Sequence, residues 1–90
     1  MKNMDARLEE KIKEKIRESL ENISEIQHLA ETIDIKGDVR AFKYGIVVGR
    51  LYNSFYYQSR RVMKRDPTKD EFLEFLEILQ RNEKLILKSI

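Results

Sequence analysis

The chain has 90 residues, 38% of them charged, a net charge of +2 and no cysteine, and its mean hydropathy is −0.60. That length makes one domain, residues 1–90, with a marginal core for which self-association is a common remedy. The missing cysteines exclude disulfides and thiolate metal sites, and no run approaches the ~18 apolar residues of a membrane span.

The start, MKNMDARLEEK, holds no apolar stretch of the kind a secretory leader needs, so a cytoplasmic protein is expected. Abundant Lys, Glu and Ile with few Asn and Gln make the composition thermophile-like. Charge is distributed in three blocks: residues 1–38 carry −3, residues 39–65 carry +7 and residues 66–90 carry −2.

Residues 4–33 read as one long helix. Ile12, Ile16, Ser19, Ile23, Ile26, Ala30 and Ile33 recur at alternating spacings of four and three, a heptad seam. Leu8, Leu20 and Leu29 widen it, and Glu9–Lys13 stands at the spacing of a favourable helical ion pair. The periodicity stops at Asp34-Ile35-Lys36-Gly37-Asp38, where Gly37 can take a positive φ and Asp38 suits an N-cap. So short a loop predicts antiparallel neighbours.

The second predicted helix, residues 38–65, is the centre of the chain. Its stretch Val39 to Arg65 carries Arg40, Lys43, Arg50, Arg60, Arg61, Lys64 and Arg65, no acidic residue, and all four tyrosines. On a helical wheel Lys43, Arg50, Tyr57 and Lys64 fall on one line, flanked by Arg61 and Arg65. The opposite half holds Tyr44, Val48, Leu51, Tyr52 and Phe55, with Gly45 and Gly49 beside it. Each glycine costs ~1 kcal/mol in a helix interior, and the expected return is close approach of another helix.

Asp66-Pro67 ends this helix, and Thr68-Lys69-Asp70-Glu71 has the form of a capping box for a third, residues 68–89. Phe72, Phe75, Leu76, Leu79, Ile86 and Ile90 make its apolar stripe. The fold expected is all-α: an antiparallel three-helix bundle of long helices, completed by homodimerisation. The self-association surface expected comprises Ile12, Ile16, Ile23, Ile26, Ile33, Gly45 and Gly49.

Catalytic equipment is sparse. His28 is the single histidine. Glu25-Ile26-Gln27-His28 matches the Glu-x-x-His of carboxylate-bridged metal bundles, but Ile26 occupies the seam and turns Glu25 and His28 away from it. No histidine follows Arg50, so the arginine–histidine pair of some helical ribonucleases is not formed. No phosphate loop or Ser/His/Asp set is legible. The expectation is a non-enzyme with no cofactor, no metal, no small-molecule substrate and no membrane partner.

Two readings of the basic helix remain. In one, Lys43, Arg50, Arg61, Lys64 and Arg65 follow phosphates and Tyr57 stacks on a base. The chain is then a small accessory or adaptor subunit contacting DNA, RNA or a larger nucleoprotein complex. In the other, the acidic flanking helices neutralise the basic one and the chain is a protein-binding or self-assembling scaffold. Pairing of Arg50, Arg61 and Lys64 with those helices would favour the second.

Overall fold

The computed structural model describes residues 4–90; the first three residues of the opening segment lie outside it. Among the described residues all regular structure is helical, in the order α1 (Ala6–Glu21), α2 (Ile23–Thr32), α3 (Val39–Met63), α4 (Lys69–Arg81) and α5 (Glu83–Ser89).

Local chemistry sets most of these bounds. Asp5 caps α1 by accepting from the Arg7 amide at 2.8 Å, and Glu9 pairs with Lys13 at 3.1 Å. Gly37, at φ +109°, turns the connection towards α3. Asp38 accepts from the Ala41 amide at 3.0 Å and starts that helix. The predicted capping box forms: the Glu71 amide donates to Thr68 Oγ1 at 3.1 Å and the Thr68 amide donates to Glu71 Oε1 at 2.8 Å.

Where one long first helix and one long third helix were expected, each is broken in two. Asn22 separates α1 from α2, and Asn82 separates α4 from α5. Both asparagines sit at nearly the same backbone angles, φ −103°, ψ 22° and φ −102°, ψ 2°. Each turns its side-chain amide back on the carbonyl four residues earlier, Asn22 to Glu18 at 2.9 Å and Asn82 to Ile78 at 2.7 Å. A short polar side chain that bonds nearby backbone competes with the continuing ladder.

The five pieces form an elongated body of 40 × 22 × 21 Å, its long dimension set by the 25 residues of α3 at ~1.5 Å each. α1, α2 and α5 pack against α3, and α4 lies beside both α1, where Glu9, Glu74, Glu77 and Ile78 line one crevice, and α3, where Phe75 stacks on Phe55. Leu8, Ile12, Ile16, Ile26, Val47, Leu51, Phe55, Phe75, Ile78 and Ile86 form the shared core. At its centre Phe55 and Phe75 stack with centroids 4.5 Å apart and planes within 3°. Fully burying a side chain of this size stabilises by roughly 1.5–3 kcal/mol, so these ten residues supply most of the cohesion.

The heptad seam is therefore filled from within the chain. Ile12, Ile16 and Ile26 are buried against α3 and Ile23 is partly buried, while Ile33 is exposed beyond the end of α2. The first four thus serve the internal core, and of the seam isoleucines expected at a self-association surface only Ile33 stands free.

Candidate functional site

α3 buries Lys43, Val47, Leu51, Phe55, Gln58 and Ser59. This stripe is rotated towards the basic line relative to the apolar half read from the sequence, because α1 and α2 lean on that flank. The rotation decides what each predicted site residue can do.

Lys43 is covered rather than outward: only 9% exposed, it donates to the Gln27 side-chain oxygen of α2. Arg65 is also committed. Its guanidinium donates to Glu71 Oε1 at 2.8 Å and Oε2 at 3.1 Å, a two-pronged pair that ties the end of α3 to the capping box of α4. That guanidinium, against the cost of burial, holds the Glu71 carboxyl below its ordinary range, with the Thr68 amide assisting.

Arg50, Tyr57, Arg61 and Lys64 remain together on one exposed strip. Tyr57 is 58% exposed. No carboxylate pairs with Arg50, Arg61 or Lys64 among the described residues. Some acidic side chains of the flanking helices are engaged elsewhere: Glu9 with Lys13, Glu18 with Lys15, Glu71 with Arg65. Arg50 and Lys64 stand 14 residues apart, so the ridge is about 21 Å long. Lys64 closes α3 in the left-handed region, φ 60°, ψ 28°, a conformation that costs an L side chain of order 1 kcal/mol.

Two surfaces flank the ridge and the helix that carries it. Beside Arg50, a groove of about 510 Å³ between α2 and α3 is lined by Glu25, Ile26, His28, Leu29, Thr32 and Ile46. His28 is exposed on its rim, and no group of three or more metal-ligating side chains forms among the described residues. On the far side of α3, Gly45, Val48, Gly49 and Tyr52 face Phe72, Leu76 and Leu79 of α4 across an apolar groove of about 350 Å³.

The glycines do not receive another helix of this chain. A Cβ at Gly45 or Gly49 would meet no atom within 4 Å. Tyr52 stands on the wall of this groove, 46% exposed, held edge-on by Tyr56 and Phe72 at 5.5 and 6.1 Å and stacked on Phe75 at 6.3 Å. Burial and the Glu83 carboxylate push the Tyr44 phenol above its ordinary value. Sequence reasoning placed Arg50, Tyr57, Arg61 and Lys64 on one face, where they lie exposed, but the helix it expected against Gly45 and Gly49 is not there. It missed the α2–α3 groove, whose signal is the off-seam apolar Leu29 opposite Ile46.

Comparison with known protein families, curated proteins and solved structures finds no match for this chain. No helix of the described residues is long and apolar enough to cross a membrane.

Proposed function

We propose that the chain is a non-enzymatic accessory subunit that lays its α3 ridge along the backbone of a nucleic acid. The observation that carries this is the unpaired state of Arg50, Arg61 and Lys64 on one exposed strip with Tyr57. Acidic helices lie on both sides of α3, yet none of their carboxylates neutralises this line. A cationic line of this length suits phosphates, and an exposed tyrosine beside it offers a ring for a splayed base. Lys43 and Arg65 fall outside the site because each serves the fold.

The test is binding of a mixed-sequence oligonucleotide across a salt series. Arg50→Gln, Arg61→Gln and Lys64→Gly should each weaken binding and reduce the salt slope by roughly one unit. Lys64→Gly is the informative variant. It removes a cation while relieving the left-handed strain at that position, so the melting temperature should hold or rise as affinity falls. Tyr57→Ala should cost a further ~1–3 kcal/mol on single strands and little on duplex. Failure of the wild-type chain to bind at about 0.15 M salt would reject the reading in favour of the scaffold, which the open apolar groove supports.

A further inference from the structure

We infer that a second copy of this chain docks on the α3–α4 groove, related by a two-fold axis that runs across the groove and makes the facing helices antiparallel. The inference does not depend on nucleic-acid contact. It deepens the expected self-association by moving it from the isoleucine seam, which the chain fills internally, to a surface left open.

A two-fold interface must be complementary to itself, so every knob needs a hollow at the mirrored position. The groove meets that condition. On α3 the hollow is Gly45, where a Cβ would touch nothing within 4 Å. The knob is Tyr52, seven residues further along the same face and fixed in place by three neighbouring rings. An antiparallel crossing centred between Val48 and Gly49 sets Tyr52 of each copy over Gly45 of the other, about 10 Å apart along the helix. Gly49 at the crossing lets the two backbones approach.

The opposite wall obeys the same symmetry. Lys69, Leu76 and Glu83 recur at seven-residue intervals along α4 and the start of α5. All three are exposed, Leu76 at 42%, and Lys69 has no carboxylate partner among the described residues. Turned antiparallel about Leu76, this line sets Leu76 on Leu76 and brings Lys69 of each copy opposite Glu83 of the other. The apolar centre is then closed at both ends by opposite charges. A parallel arrangement would set like charges together and tyrosine against tyrosine.

The experiment is sedimentation equilibrium of the full chain at micromolar concentration, without nucleic acid. The wild type should run at twice 10.8 kDa. Gly45→Leu should run as a monomer while keeping its helical circular dichroism and a cooperative melt, because the single chain has room for the side chain. Lys69→Glu should weaken association at low salt at least tenfold, and Lys69→Glu with Glu83→Lys should restore it. A monomeric wild type overturns the inference. So does a Gly45→Leu chain that remains a dimer, and a double charge exchange that fails to recover association overturns the antiparallel pairing.

Discussion

Glu71 shows how one side chain ties sequence to fold. It is 1% exposed, closes the capping box of α4 and takes both prongs of Arg65 from the end of α3. Arg65 holds its carboxyl below the ordinary 4.5. A carboxyl depressed by folding contributes stability that is present above its unfolded value and lost as pH falls through the folded one. Asp5, lowered by its hydrogen bonds to Arg7, acts in the same direction. The melting temperature should therefore fall as pH drops below about 4.5. Glu71→Gln should melt lower at neutral pH, losing a charge-assisted pair of about 1.5–3 kcal/mol. It should also show a shallower acid-side decline. A variant as stable as wild type at neutral pH would mean that Arg65 and Glu71 do not hold the helix junction.

The caps and turns were legible because each rests on a residue type with one local use. Asp38 before an apolar run, Thr68 three residues ahead of Glu71, and Gly37 in a short acidic loop all act within a few residues. The breaks at Asn22 and Asn82 were equally local, yet the apolar periodicity runs through both positions and outweighs a single polar side chain. What was not legible is rotation. Lys43 lies on the basic line by spacing, but the lean of α2 places Gln27 over it, and no pattern within α3 encodes that. The same rotation leaves Gly45 and Gly49 facing open space instead of a neighbouring helix. Gly49→Ala should consequently stabilise the dilute, monomeric chain by about 1 kcal/mol through helix propensity. Thermal unfolding should report a rise of roughly 4–8 °C for a chain of this size, and a fall would show the position to be packed.

At the scale of the whole molecule the two surfaces of α3 are separated by the exposed back of that helix, where Asn53 and Arg60 lie. Arg50 and Tyr57 lie roughly 140–180° around the helix from Val48 and Tyr52. A partner seated on the groove would leave the ridge uncovered, and in the proposed two-fold dimer the two ridges would face outward on opposite sides. With each protomer about 22 Å across, one short strand cannot reach both. Taken together, the proposed dimer and the proposed nucleic-acid contact would make a bridge holding two strands apart, with α3 of each copy against one of them. Mixing the dimer with two differently labelled oligonucleotides should bring the labels together, as read by energy transfer. Gly45→Leu should bind a single oligonucleotide within about twofold of wild type, because its ridge is intact, and should fail to bridge. Arg50→Gln combined with Arg61→Gln should do the reverse, remaining dimeric while losing both binding and transfer. Bridging that persists in a monomeric variant would show that ridge and groove are not the separate devices their places on α3 imply.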